Sequence, residues 1–184
     1  MNRLLACCSL LAVAATLSAQ TPAPKPPPKS PAATASATIA GKTIAITYSS
    51  PRVNGRAGKL FTKDGQIGHD PTYPVWRAGA NSATVLHTDA DLEIGSLAVP
   101  KGDYTLYADV SDPDNWVLIV NTQTGQWGTV YDKTKDLGRV PMTMTMPPHT
   151  IEDLKYTITA TPGPMGTLTL AWENHIASVP VTVK

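Results

Sequence analysis

The segment Tyr73–Leu86 holds the side chains best suited to binding chemistry in this 184-residue chain. Trp76, Arg77 and Asn81 place an aromatic ring, a guanidinium and a carboxamide within six positions. An arginine can bind a carboxylate through two parallel hydrogen bonds, and an asparagine both donates and accepts. Because charged residues make up only 16% of the chain, we expect Arg77 to have a defined partner. This segment is therefore the first candidate for a site.

Other aromatic, cationic and acidic side chains supply the remaining parts of a pocket for a small polar molecule. Tyr and Trp faces stack on sugars or aromatic ligands, while Arg and Asn provide hydrogen bonds. A purely structural network explains the same residues, with Arg77 paired to a buried carboxylate such as Asp132 and Trp76 filling the core. The candidate ligand-binding residues are Arg52, Trp76, Arg77, Asn81, Trp127, Tyr131 and Asp132, with Arg56 as a further cationic member of the set.

Catalytic motifs are scarce in the sequence. There is no Gly-x-Ser-x-Gly nucleophile elbow and no glycine-rich phosphate loop, so neither a serine hydrolase nor a nucleotide cofactor is expected. A pair of catalytic carboxylates would be set by the fold and not by spacing. His69 lies in a polar loop before Trp76, and Glu173 is one of three glutamates. The enzymatic alternative is a small envelope hydrolase or isomerase that uses Arg77 with His69, Asp132 or Glu173.

Metal-binding patterns are also weak. The four histidines show no His-x-His spacing, so we predict no metal site and no cofactor. Met142, Met144 and Met146 alternate in a run typical of a strand, and thioethers are ligands for copper(I). The same spacing of two is typical of a strand that buries one face, and we favour that structural interpretation.

The N-terminal residues predict export. Residues 1–19 combine a short basic start, an apolar run from Leu4 to Leu17 and a small-residue cleavage site, which is typical of a signal peptide. Cys7 and Cys8 fall inside the apolar run, although Leu4–Cys7 resembles a lipobox. Residues 20–34 are proline-rich and predict a disordered linker. We therefore expect a periplasmic or extracellular protein.

The charge balance limits the classes of partner. Loss of Arg3 with the signal peptide leaves equal numbers of basic and acidic residues. A neutral chain without a basic stripe predicts no nucleic-acid partner. The apolar run is shorter than the roughly 20 residues that a transmembrane helix needs, so no transmembrane segment is expected in the mature chain. The sequence favours a small polar or carbohydrate ligand and does not fix the oligomeric state.

Short alternating runs separated by turn residues fill residues 35–184, which have the size of one domain. The clearest predicted hairpin joins Tyr104–Val110 to Trp116–Val120. The second of these runs is continuously apolar, so both its faces should be covered. Asn81 is expected to take left-handed geometry in a tight turn. The pattern predicts an all-β fold, either a single antiparallel β-sandwich of jelly-roll type or a flattened barrel.

Several short motifs together resemble a known family. They are Ser49–Arg52, Val75–Asn81, Pro100–Tyr104, Gly125–Gly128 with Tyr131–Asp132, Asp136–Val140, and Trp172–Asn174 with Val179–Val181. From about Ile44 to the C-terminus the chain resembles the bacterial exported family called domain of unknown function 2911. The resemblance implies an exported β-rich domain and carries no activity or catalytic residue. The segment Phe61–Tyr73 is longer and more polar than is usual for that family.

Two functions follow as expectations. The first is a non-catalytic binding module of the cell envelope for a small molecule or carbohydrate. The second is the small envelope enzyme described above. The binding interpretation survives if Trp76, Arg77, Asn81, Trp127 and Tyr131 converge on an open pocket. It fails for this motif if Trp76 and Arg77 are both fully buried with their polar atoms satisfied.

Overall fold

A computed structural model describes residues 29–184, so the predicted signal peptide and the linker residues 20–28 lie outside the described part of the chain. Strands dominate the described part, joined by turns and one short 3-10 helix at Lys133–Lys135. The strands are β1 Ala32–Ile39, β2 Lys42–Ser49, β3 Val75–Trp76, β4 Thr84–Thr88, β5 Leu92–Ile94, β6 Leu97–Val99, β7 Gly102–Asp109, β8 Val117–Asn121, β9 Asp136–Pro141, β10 Thr143–Thr145, β11 Ile151–Ala160, β12 Met165–Glu173 and β13 His175–Val183.

The strands form two antiparallel sheets that pack face to face. The first sheet runs β1-β2-β4-β7-β8-β9, and the short β3 also pairs with β7. The second runs β11-β12-β13-β5-β6, and β10 also pairs with β13. The sheets do not close into a barrel. The sandwich prediction is therefore confirmed, and the flattened barrel is not the fold.

Local sequence explains the hairpins. Ala40 and Gly41 both have positive φ, which suits the two-residue turn between β1 and β2. The predicted hairpin of β7 and β8 is present, with Tyr107 opposite Ile119. Strand β1 begins at Ala32, three residues before the predicted start of the domain, because its alternate small residues pack onto the core beside β2. Asn81 has a φ of 60°, as expected for its turn.

The main core lies between the sheets, and a smaller cluster covers the outside of the first sheet. Leu118 and Val120 of β8 point into the main core, whereas Ile119 packs outward with Val75 and Tyr107. Tyr131 covers this outer cluster. The continuous apolar run of β8 is therefore buried on both faces, as its composition predicted.

The methionine run follows the core interpretation only in part. Met142 is buried and Met144 packs against the core, but the Met146 side chain is 82% exposed. Strand β10 ends at Thr145, so the chain leaves the sheet before Met146 can follow the alternation. Within residues 29–184, no helix has the length and apolar character needed to cross a bilayer.

Candidate functional site

An open cavity of about 830 Å³ lies beside the Trp76–Asn81 segment, and we call it the arginine cavity. Four of the seven candidate residues line it, namely Arg52, Trp76, Arg77 and Asn81, and so does the further cationic residue Arg56. Other lining residues were not predicted as site residues: Lys29, Asn54, Gln66, Asp70 and Trp172. The cavity is concave and carries convergent polar groups, which are the general features of a small-molecule site.

Arg77 is held in the cavity by Asp70. Its Nη2 donates to both carboxylate oxygens of Asp70, at 2.9 and 3.0 Å. The two side chains are only 15% and 18% exposed, so the pair is more shielded than a surface ion pair. Arg77 thus pairs with a shielded carboxylate, as the structural-network interpretation expected, but the partner is Asp70 of the polar loop before Trp76 and not Asp132. Both bonds use Nη2, and Arg77 is among the residues that line the cavity.

Two further arginines line the cavity, and they differ in how firmly their side chains are held. Arg56 donates from Nε to the Val53 carbonyl at 2.8 Å and from Nη2 to the Arg52 carbonyl at 2.6 Å. Its Nη1 donates to the Gln66 side chain. Arg52 forms exposed ion pairs with Asp153 at 3.2 Å and Glu152 at 3.6 Å. Arg56 is thus held by the backbone, and Arg52 lies at the solvated rim.

The turn that carries Asn81 is packed against a second loop. Gly128 N–H donates to the Asn81 carbonyl at 2.9 Å, and Ser82 forms a bridge with Trp127. A side chain at Gly128 would lie 2.5 Å from Arg77 Cδ, so only glycine allows this approach. The loop therefore restricts the position of the Arg77 side chain.

Trp127 itself does not line the arginine cavity. Its backbone bridges to Ser82, but its side chain is 53% exposed. The loop motif Gly125–Gly128 therefore meets the Trp76–Asn81 segment through backbone contacts, and the indole projects into solvent.

Tyr131 and Asp132 lie on the outer face of the first sheet. The Tyr131 hydroxyl donates to Asp136 at 2.7 Å and accepts from Arg139 Nη2 at 2.7 Å. Burial, followed by the Asp136 carboxylate, raises the pKa of Tyr131 to about 12. Asp132 caps the 3-10 helix by accepting from Thr134, and these bonds lower its pKa. Both residues stabilise the outer loop and do not meet the arginine cavity.

Aromatic rings close the inner wall of the cavity. Trp76 and Trp172 stack at a centroid distance of 5.7 Å and an angle of 16°. Both rings are buried, and Phe61 contacts each of them edge-on. The predicted core role of Trp76 is confirmed, and its buried face offers little area for stacking on a ligand.

The residues of the enzymatic alternative are dispersed. His69 is exposed, and its Nδ1 lies 2.7 Å from the Gly65 carbonyl. Glu173 is buried and lines a second cavity with Phe61 and His175. Among residues 29–184, no group of three or more His, Cys, Asp or Glu side chains is arranged to hold a metal ion.

Asp70 and Trp172 show what sequence reasoning missed. Asp70 precedes Arg77 by seven residues in an irregular loop, and no periodicity predicts that the two side chains meet. The polar character of that loop was the only available signal. Trp172 comes from β12 of the other sheet, so its stacking on Trp76 depends on how the sheets pack.

Comparisons with known proteins identify a family but no characterised relative. The family model described as Protein of unknown function (DUF2911) matches residues 30–181. Neither the curated proteins nor the solved structures give a match. The family therefore accounts for nearly all of the described domain, and no ligand or activity can be taken from a relative.

Proposed function

We propose that this chain, which belongs to the DUF2911 family of proteins of unknown function, is a non-catalytic binding module for a small polar molecule that carries a carboxylate. The arginine cavity is the binding site. Arg77 is the central contact, Arg56 and Asn81 flank it, and Arg52 stands at the entrance.

The charge of the cavity lining is the observation that carries this proposal. Among residues 29–184, the lining contains the four cationic side chains of Lys29, Arg52, Arg56 and Arg77 and one carboxylate, Asp70. An anionic ligand gains from such a lining because charge-assisted hydrogen bonds are stronger than neutral ones. Asp70 holds the guanidinium in place before the ligand arrives, which reduces the entropy lost on binding.

Burial of the indole rings narrows the class of ligand. A carbohydrate module that relies on stacking presents an open aromatic face, whereas Trp76 and Trp172 are nearly inaccessible. Polar contacts to carboxylate and hydroxyl groups suit this cavity better, and an acidic sugar is one molecule that carries both. A catalytic role stays a prediction: His69, Asp132 and Glu173 are not among the residues that line the cavity.

The cellular setting of this function belongs to the same proposal. The sequence of residues 1–19 supports export, and the ligand would then be a small molecule of the cell envelope or of the medium.

A pair of matched sugars tests the proposal. D-glucuronate and D-glucose differ at one carbon, where the first carries a carboxylate. We expect glucuronate to raise the midpoint of thermal unfolding of the protein and glucose to raise it less, since a ligand bound to the native state adds stability. Isothermal titration calorimetry then measures the affinity of the wild type and of Arg77→Gln. Loss of a charge-assisted contact should weaken glucuronate binding about tenfold.

The matched control is Arg139→Gln, which removes a guanidinium from the outer cluster and leaves the arginine cavity intact. This control should bind glucuronate like the wild type. Full affinity in a folded Arg77→Gln variant would exclude Arg77 from the site. Equal responses to glucose and glucuronate would exclude carboxylate recognition.

A further inference from the structure

A second cavity, of about 610 Å³, has a different chemical character, and we call it the glutamate cavity. Its apolar lining includes Phe61, Tyr73, Met144 and Met146. Tyr73 and Met146 are two of the few large apolar side chains exposed in residues 29–184. Exposed apolar groups around a concave surface are typical of a binding site.

Glu173 is the buried charged group of this cavity. Its side chain is 2% exposed, and its Oε1 accepts from Gly58 N–H at 2.6 Å. Its backbone has a φ of 55°, in the left-handed region that few residues other than Gly, Asn and Asp adopt. A carboxylate taken out of water is costly unless cations or several donors surround it. Glu173 has only part of that compensation in the described structure.

His175 faces Glu173 without completing its hydrogen bonds. The Nδ1 atom lies 3.3 Å from Glu173 Oε2, but the geometry is not that of a hydrogen bond, and Nδ1 is buried without a partner among the described residues. The imidazole stacks on Trp116 at a centroid distance of 4.9 Å and meets Phe61 edge-on. A neutral imidazole can present Nδ1 either as an acceptor or as a donor toward Glu173. The Glu173 carboxylate and the His175 imidazole are thus in close contact at the buried end of the cavity.

The charge of the lining has one sign. Glu173 and Asp114 are carboxylates, and none of the described residues that line the glutamate cavity is a lysine or an arginine. Phe61 and Tyr73 add aromatic rings, whose faces attract cations. A cation is therefore favoured here by charge and by the aromatic lining, and the methionines offer a surface for an apolar body.

We propose that the glutamate cavity is a second ligand site, which binds a small organic ammonium ion with an apolar body. The ammonium group lies against the Phe61 and Tyr73 rings, and its positive charge is attracted by Glu173, which is buried at the end of the cavity. The apolar body contacts Phe61 and Met146, and Asp114 attracts the cation from the rim. This site is independent of the arginine cavity and does not require the function proposed for it.

Three probes of similar size test the proposal: 2-phenylethylammonium, the neutral 2-phenylethanol and the anionic 3-phenylpropionate. Amide NMR spectra of the protein at millimolar probe concentrations report both affinity and location. We expect 2-phenylethylammonium to shift the amide signals of Gly58, Thr145 and Asn174. Binding of the neutral alcohol should be about tenfold weaker, because it lacks the positive charge. The anion should not bind in this cavity.

Amino-acid substitutions test which carboxylate contributes to binding of 2-phenylethylammonium. Glu173→Gln keeps an acceptor for Gly58 N–H and should weaken 2-phenylethylammonium about tenfold. Asp114→Asn lies in an exposed turn, cannot disturb the core and should weaken binding to a smaller extent. Glu93→Gln is the matched control, because it makes the same chemical change at an exposed strand residue paired with Lys184. Its affinity should equal that of the wild type.

Four outcomes would overturn the proposal. They are no shift with 2-phenylethylammonium, shifts confined to the arginine cavity, equal affinity for the neutral alcohol, and wild-type affinity in both Glu173→Gln and Asp114→Asn. Should Glu173→Gln fail to fold, the probe series on the wild type and the Asp114→Asn variant still decide the question.

Discussion

The arginine cavity and the glutamate cavity share one aromatic wall but carry opposite charge. Trp76 and Trp172 line the first, while Phe61 and His175 line the second, and these rings contact one another in a single cluster. Adjacent residues of β12 serve different sides, since Trp172 lines the arginine cavity and Glu173 lines the glutamate cavity. Two consecutive residues of β12 therefore line two cavities of opposite charge.

The two cavities also differ in how their central charge is stabilised. Arg77 donates from Nη2 to both oxygens of Asp70, whereas Glu173 accepts from one backbone N–H and lies against the His175 imidazole without an aligned hydrogen bond. A guanidinium with a fixed partner keeps its orientation and still offers donors to a ligand. A buried carboxylate with few donors gains more from a cation that arrives. The first cavity is therefore organised in advance, and the second is left incomplete.

Removal of the shared wall should have the largest effect on this comparison. Trp76→Ala removes a buried indole that contacts Phe61, Trp116 and Trp172, and we expect a loss of about 3–5 kcal/mol in the free energy of unfolding. Urea denaturation measures it. Trp127→Ala makes the same change at an exposed position and should alter stability by no more than about 0.5 kcal/mol. Similar losses in both variants would show that the aromatic wall is not the structural element the two cavities share.

A smaller substitution should affect binding in one cavity and not in the other. Gly128→Ala places a methyl group 2.5 Å from Arg77 Cδ and 2.8 Å from the Asn81 carbonyl, so the arginine must move. We expect a loss of about 1–3 kcal/mol, typical of overpacking, together with weaker binding in the arginine cavity and unchanged binding in the glutamate cavity. The measurements are urea denaturation and calorimetry with one probe for each cavity.

Gly125→Ala is the control for that experiment. Gly125 lies in the same loop with a φ of +82° and nothing within 4 Å of an added methyl group. This variant carries backbone strain of about 1 kcal/mol but no clash with Arg77. Equal losses of affinity in the two variants would mean that loop strain, and not the position of Arg77, governs the cavity.

The smallest expected effect is the pH dependence of stability that arises from the titration of two histidines. Burial lowers the pKa of His175 below 6.5, although the Glu173 and Asp114 carboxylates oppose this. Hydrogen bonds, first to Asp103 and then to Asp89, raise the pKa of the exposed His87 above 6.5. The unfolded chain therefore binds a proton at His175 more readily than the native state does, and the His175 contribution to stability is lost as pH falls below about 6.5. His87 has the opposite sign, because its contribution is present at low pH and is lost as pH rises through its raised pKa.

Histidine ring signals followed by NMR between pH 4 and pH 8 test both directions, a range set by the ordinary histidine pKa of about 6.5. His87 and His175 should titrate on opposite sides of that value. A bound ammonium ion in the glutamate cavity should lower the pKa of His175 further and leave that of His87 unchanged. A His175 pKa above 6.5 would show that Glu173 outweighs burial at this position.

Much of the architecture is local enough to follow from the sequence. The β1–β2 and β7–β8 hairpins, the left-handed turn at Asn81 and the double-sided burial of β8 rest on turn chemistry and on side-chain alternation. The sandwich prediction rests on the same signals. Strand β1 begins three residues before the expected start of the domain, because Ala, Thr and Ser alternate too weakly to mark a strand.

The composition of each site follows from the fold. Residue types alone indicated that Arg77 needed a partner, that Trp76 suited the core and that few residues of the chain are charged. Only the tertiary structure decided that Asp70 and not Asp132 meets Arg77, that Tyr131 covers the outside of a sheet, and that Glu173 is buried beside His175. Local signals act through the backbone of neighbouring residues, whereas these pairings depend on a long loop and on the packing of two sheets, which no short-range pattern records.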